Sequence, residues 1–202
     1  MAATFGLGRV ALINDLEANA WGIQALGEED FWVLNEGRRD VTGNASIIAA
    51  GTGLGQAGLY WDGQRHWPFA SEGGHCDFSP QNDLDIALLG YLRDKYGHVS
   101  WERVASGSGL VDLYEYARER RQLPMPDWLL QAPDPAAAIS AAALDGRDVA
   151  CADALDIFVR CYGAEAGNLA LKQMATGGVY LAGGIAQDRL DPGERQPHAT
   201  GD

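Results

Sequence analysis

Basic residues are scarce in this chain: 15 lysines and arginines face 28 aspartates and glutamates over 202 residues, a formal charge of -13 and a pI near 4.6. Nucleic acids and anionic membrane surfaces require a basic footprint, so neither is expected as a partner. Cysteine is scarcer still. Only Cys76, Cys151 and Cys161 occur, an odd number at no metal-ligand spacing, which excludes a disulfide framework or a tetrahedral zinc site and leaves three reduced, partly buried thiols. No apolar run approaches the roughly 20 residues of a membrane-spanning helix, and the first residues lack the basic and apolar regions of a signal peptide. The cytoplasm is the expected location. What remains, 47% hydrophobic and 21% charged, is the composition of an ordinary globular enzyme.

The hydrophobic pattern is α/β. Residues 10–13 read as a buried strand, followed by a helix over 16–26 that Asn14 or Asp15 can cap. Residues 31–34, 46–50 and 56–61 read as strands, and Asp62-Gly63 is a hairpin turn before a short strand at 65–67. Leu84, Leu88, Tyr91 and Leu92 repeat at helical spacing, as do Leu110, Leu113, Tyr114 and Ala117, and again Leu155, Phe158, Val159 and Tyr162. Four prolines make 123–135 a linker, and 179–182 is a last buried strand ending at Gly183-Gly184.

Three short motifs carry chemistry. Asn14-Asp15 stands at an expected strand end and offers a carboxylate base. Gly51-Thr52-Gly53 offers backbone amides and a hydroxyl to phosphate, its glycines adopting dihedral angles that other residues avoid. Glu72-Gly73-Gly74-His75 turns sharply and aims a carboxylate and an imidazole into one cleft. Phosphoryl transfer needs this combination, because the protein's work is positioning, charge stabilisation and acceptance of one hydroxyl proton. Gly53-Leu54-Gly55-Gln56-Ala57-Gly58 formally matches a dinucleotide fingerprint, but strand and turn follow where that fold demands a helix. Taken singly, His66 and His98 are satisfied loop histidines, and Glu102 beside Arg103 is an exposed carboxylate at a helix start.

Together the runs VALINDLEANAWGI, AAGTGLGQAGLY, SEGGHCDFSP, YGHVSWERVASGSGL and GNLALKQMATGGVYLAGGIA resemble bacterial glucokinases over roughly residues 5–186. The resemblance implies the actin-like ATPase, ribonuclease H-like fold and ATP-dependent phosphorylation of the 6-hydroxyl of D-glucose, the first step of glycolysis. It also implies Asp15 as the base, with Asn14, Asp15, Glu72, His75 and Glu102 on the sugar, and Gly51, Thr52, Gly53, Gly183 and Gly184 on the nucleotide. Mg²⁺ accompanies ATP, and a homodimer is the expected assembly. The related ROK sugar kinases add a cysteine-rich zinc motif; His75-Cys76-Asp77-Phe78 has no such cysteines, so no zinc is expected. Ser108 stands where relatives usually carry proline, which puts the stiffness of that loop in question.

Against the family pattern, the first phosphate hairpin is not found before residue 10, and the similarity stops after residue 186. The chain therefore reads as truncated at both ends, through a frameshift or an incomplete gene model. Residues 1–27 read as a remnant of the small domain, 28–186 as the larger sugar- and nucleotide-binding domain, and 187–202, nearly devoid of apolar residues, as a disordered tail. On that reading the chain alone phosphorylates glucose poorly. The alternative is a non-catalytic sugar-binding or regulatory derivative of the same fold.

Overall fold

A hairpin begins the sheet. In this computed structural model, which describes residues 6, 10–38 and 40–184, strand β1 (Ala45–Ala50) turns at Gly51-Thr52-Gly53 into β2 (Leu54–Trp61), paired antiparallel with Ile47 opposite Ala57. Asp62-Gly63 turns the chain again into β3 (His66–Ser71), with Gln56 opposite Ser71. Strand β4 (Gly178–Ala182) joins the free side of β1 in parallel, giving the order β3-β2-β1-β4. β1 is covered on both faces, which is why its apolar residues do not alternate with exposed polar ones; its one polar residue, Ser46, is buried and donates to Gln173 Oε1 at 2.8 Å.

Helix α1 (Asp15–Ile23) covers one face, burying Leu16 and Ala20 against Ala45, Ile47, Ala57 and Leu59. Asn14 caps it, its Oδ1 accepting from the amides of Leu16 at 2.8 Å and Glu17 at 3.4 Å. The other face carries the main core, where Ile48, Ala50 and Leu54 meet α2 (Asp83–Tyr96), α3 (Gly107–Arg120), the short α4 (Asp127–Leu130), α5 (Pro135–Leu144) and the 25-residue α6 (Val149–Gln173). Tyr162 of α6 sets its hydroxyl between the carbonyls of Ile48 at 2.8 Å and Ala182 at 3.0 Å, pinning the ends of β1 and β4 together.

Several expectations fail here for identifiable reasons. Residues 10–13 are not a buried strand: they pair with no strand among the described residues, and Val10, Leu12 and Ile13 are exposed, Leu12 at 83%. Residues 31–34 likewise form no strand, with Trp32, Val33 and Leu34 exposed. Apolar, β-branched composition favours a strand only where a neighbour satisfies its backbone. The helix expected to end at residue 26 stops at Ile23, just past Gly22. β3 continues past Trp67 to Ser71, and β4 is half-buried. The expected linker contains α4 and leads into α5, whose alanine-rich sequence shows little periodic contrast although Asp134 caps it through the Ala137 amide at 3.0 Å. The tail at 187–202 and Ile185-Ala186 lie outside the described residues.

The smaller readings are only partly met: His66 opens β3 and is not a loop residue. Cys76 is exposed, Cys151 and Cys161 are buried, all three are free, and burial pushes both buried thiols up to about 12. His66 Nε2 bonds the Gly43 carbonyl at 2.9 Å, and His98 Nε2 bonds Asp77 Oδ1 at 2.7 Å. Among the described residues no helix is long and apolar enough to cross a membrane.

The β2–β3 turn gives a pH prediction. Asp62 Oδ1 accepts from the amides of Arg65 and Gln64, at 2.9 and 2.8 Å, and Oδ2 accepts from Trp67 Nε1 at 2.7 Å. These bonds, the Arg65 amide foremost, hold its carboxyl down to about 2. A depressed folded value means that the carboxylate's contribution to the hairpin is complete above the ordinary range near 4 and is lost as pH falls through 2. NMR titration should place the Asp62 carboxyl midpoint near pH 2; a midpoint near 4 would show that the turn bonds are not maintained in solution.

Candidate active site

The carboxyl ends of β1 and β4 lie side by side, and each runs into a glycine motif. After β1 the chain forms the Gly51-Thr52-Gly53 turn, closed by the Gly51 amide on the Gly53 carbonyl at 2.9 Å. The Gly51 carbonyl accepts from the Gly107 amide at 2.7 Å, which sets the turn against the N-terminus of α3 and its partial positive charge. The amides of Thr52 and Gly53 have no protein acceptor among the described residues, so they can donate to an anion. None of Gly51, Gly53 or Gly55 has a positive φ, contrary to the expectation for this motif. The left-handed backbone occurs instead at Gly183, directly after β4, with φ +99°. A β-carbon there would overlap the Ala50 carbonyl oxygen, so only glycine lets β4 end against β1.

Glu72-Gly73-Gly74-His75 follows β3 as one turn of 3-10 helix (Gly73–His75), with the His75 amide on the Glu72 carbonyl at 3.0 Å. Gly74 is required by close approach, since a β-carbon would overlap the Leu54 carbonyl oxygen. Glu102 stands on a second such turn (Trp101–Arg103). The two are bound together by the Trp101 amide on the Cys76 carbonyl at 2.9 Å, the Phe78 amide on the Val99 carbonyl at 3.0 Å, and Phe78 edge-on to Trp101 with centroids 5.1 Å apart. Arg103 lies flat over Tyr96 at 3.9 Å, and the Tyr96 hydroxyl donates to buried Asp112 at 2.8 Å, backing the Glu102 turn from behind.

These contacts place His75 between two carboxylates. Its Nε2 is 3.8 Å from Glu72 Oε2 and its Nδ1 is 3.9 Å from Glu102 Oε1, too long for direct hydrogen bonds and leaving all three groups able to bond a ligand. The Glu72 side chain is 79% exposed and that of Glu102 only 30%. The other oxygen of Glu102 accepts from the Leu54 amide at 3.0 Å and lies 2.6 Å from where a β-carbon on Gly53 would stand. One carboxyl group therefore stands between His75 and the Gly51–Gly53 turn. Sequence reasoning missed Leu54, Gly107 and Tyr96 as supports, because each acts through the backbone or behind the site and carries no motif.

Asp15 and Asn14 reach the same end of the sheet by a different route. The Leu16 side chain fills the space above Gly55, one residue past Leu54, so α1 begins at the start of β2. Asn14 is half-buried and its Oδ1 is engaged as the cap, while Asp15 is exposed, with Oδ1 on the Leu16 amide at 2.9 Å. Ser108, questioned as a loop residue, lies in the first turn of α3, where Ser106 caps the Gly109 amide at 3.0 Å. A cavity of about 300 Å³, lined by Leu84, Tyr116, Arg121 and Asp153 on α2, α3 and α6, takes no part in this cluster.

A family model described as glucokinase matches residues 1–195. A curated glucokinase of Trichormus variabilis is 43% identical over 202 aligned residues, covering 92% of this chain and 59% of that protein. The crystal structure of glucokinase from an Antarctic psychrotroph superposes with a TM-score of 0.79 at 34% identity, covering 93% of this chain and 57% of the other. The structure of Balamuthia mandrillaris glucokinase in complex with glucose gives a TM-score of 0.72 at 25% identity, covering 88% and 52%. The chain thus spans somewhat more than half the length of the relatives it matches, and its fold is the actin-like ATPase fold of these structures.

Proposed function

The chain belongs to the glucokinase family, and from that premise we propose that it serves ATP-dependent phosphorylation of the 6-hydroxyl of D-glucose. The observation that carries this reading is Glu102, whose carboxyl group contacts the Glu72–His75 cluster with one oxygen and the turn at Leu54 with the other. A sugar held by Glu72, His75 and Glu102 would lie beside amides free to hold a phosphate. The same glucose-binding role is proposed for this chain's residues because the Balamuthia relative was solved with glucose bound.

In this mechanism Glu72, His75 and Glu102 accept from or donate to sugar hydroxyls, joined by the amide nitrogen of Asn14, whose oxygen is spent on the cap. Asp15 takes the proton of the attacking hydroxyl as it attacks phosphorus. The Thr52 and Gly53 amides and the Thr52 hydroxyl hold phosphate oxygens, and the glycine backbone at Gly183 and Gly184 lets the adenosine lie against the chain. Mg²⁺ arriving with the nucleotide would supply neutralisation of phosphate charge. A non-catalytic derivative is not favoured, since the relatives matched are themselves named glucokinases.

The test is a coupled assay for glucose 6-phosphate with ATP and Mg²⁺, paired with calorimetry of glucose binding. Little product is expected from this chain alone and ATP-dependent product from the chain grafted with a relative's N- and C-terminal segments; a chain that binds no glucose would overturn the assignment. Glu72→Gln and Glu102→Gln should each weaken glucose binding by about 1–3 kcal/mol, the scale of a charge-assisted hydrogen bond. Parent-like affinity in both variants would remove these residues from the sugar site.

A further inference from the structure

Beneath the Glu72–His75 turn lies a buried polar pair that the reaction does not use. Gln56 of β2 is 1% exposed and Glu165 of α6 is wholly buried, and Gln56 Nε2 donates to Glu165 Oε1 at 2.9 Å. Oε2 of Glu165 accepts from Asn168 Nδ2 at 3.1 Å, and Lys172 Nζ stands 3.7 Å from Oε1. A buried polar pair adds little stability over a well-packed apolar one of the same volume. Its other face is more informative. Gln56 Oε1 occupies the space directly beside Gly73, where a β-carbon would overlap it. Gln56 also sits opposite Ser71, whose Oγ accepts from the Gly73 amide at 3.0 Å. The turn carrying Glu72 and His75 therefore rests on a carboxamide whose orientation is fixed from α6.

We infer that Gln56 and Glu165 are positioning residues, a strut between α6 and the Glu72–His75 turn that sets where the two sugar-facing side chains stand. The bond from Glu165 fixes which way the carboxamide points: nitrogen toward α6, oxygen toward Gly73. Without it the amide can rotate, and Gly73 loses the surface it rests on while the strand beneath stays paired through β1 and β3. The inference rests on the proposed sugar role of that turn, but its effect on the turn itself can be measured with no sugar present.

The variant to make is Gln56→Leu with Glu165→Leu, which removes both partners without leaving either one orphaned. Amide hydrogen exchange of the purified chain should show protection of the His75 and Cys76 amides, which close this turn, falling about 10-fold while the β1 and β2 amides stay protected. Glucose affinity should fall about 10-fold with ATP affinity within about 2-fold, because only the sugar side chains are displaced. Glu165→Gln keeps an acceptor for Gln56 and should restore parent-like exchange. Unchanged exchange at His75 and Cys76 in a folded double variant overturns the inference, and so does an equal loss of protection throughout the sheet, which marks a purely structural role. If the parent binds no glucose, the proposed function fails while the exchange measurement still decides the strut. Should the double variant not fold, Glu165→Gln and Gln56→Met carry the same comparison singly, with loosening of the turn expected only in Gln56→Met.

Discussion

Asp15→Asn, made in the chain grafted with a relative's N- and C-terminal segments, should lower the turnover of glucose phosphorylation by about 10²–10⁴-fold while glucose and ATP affinities stay within about 2-fold, the pattern of a lost general base. The structure makes this a clean substitution. Asp15 is exposed in the first turn of α1, and its one side-chain bond among the described residues, Oδ1 on the Leu16 amide at 2.9 Å, can be made equally by an asparagine oxygen. The helix cap belongs to Asn14, so it survives. Only a carboxylate near the positive end of the helix is lost, worth about 0.3–1 kcal/mol in stability. A fall in turnover with an unchanged melting curve therefore reports on proton transfer. Turnover equal to the parent would remove Asp15 from that role, and a matching rise in the glucose dissociation constant would make it a sugar ligand instead.

How far the sequence carries depends on whether the deciding contact is local. β1, β2 and the turn between them were legible because apolar runs flank a glycine cluster, and α2 and α3 because their leucines recur at helical spacing. Helix α5 was not, since alanine makes good helix without marking a face. Residues 10–13 and 31–34 misled in the opposite sense: their composition suits a strand, yet none of the described strands pairs with them. At the site, the alignment of Glu102 with His75 depends on the Cys76–Trp101 and Phe78–Val99 hydrogen bonds, which join segments more than 20 residues apart. No spacing rule exposes that, and only the family resemblance singled out Glu102. The glycines at 51–53 do form a turn but not for the reason expected, because the positive φ falls at Gly183 and not within 51–53.

That relocation leads to the largest expected stability effect. Gly183→Ala should destabilise the chain by about 3 kcal/mol or more, lowering the melting temperature by roughly 10 °C, and should weaken nucleotide binding in step. Two costs combine. The backbone at φ +99° is one that side chains rarely adopt. The new β-carbon would also overlap the Ala50 carbonyl oxygen and lie 2.6 Å from its carbon and 2.8 Å from the Ala50 nitrogen, all of them backbone atoms with no rotamer to yield. Relief requires β4 to move away from β1, which strains the Tyr162 hydroxyl held between the Ile48 and Ala182 carbonyls and shifts the start of the phosphate turn. Gly184→Ala is the control, since among the described residues nothing stands within 4 Å of its β-carbon and its φ is not positive; it should cost less than about 1 kcal/mol. Thermal melts of the two variants beside the parent decide the matter. If Gly183→Ala melts with the parent, or if both alanines cost the same, then the close junction of β1 and β4 is not what makes glycine necessary at the nucleotide end of the sheet.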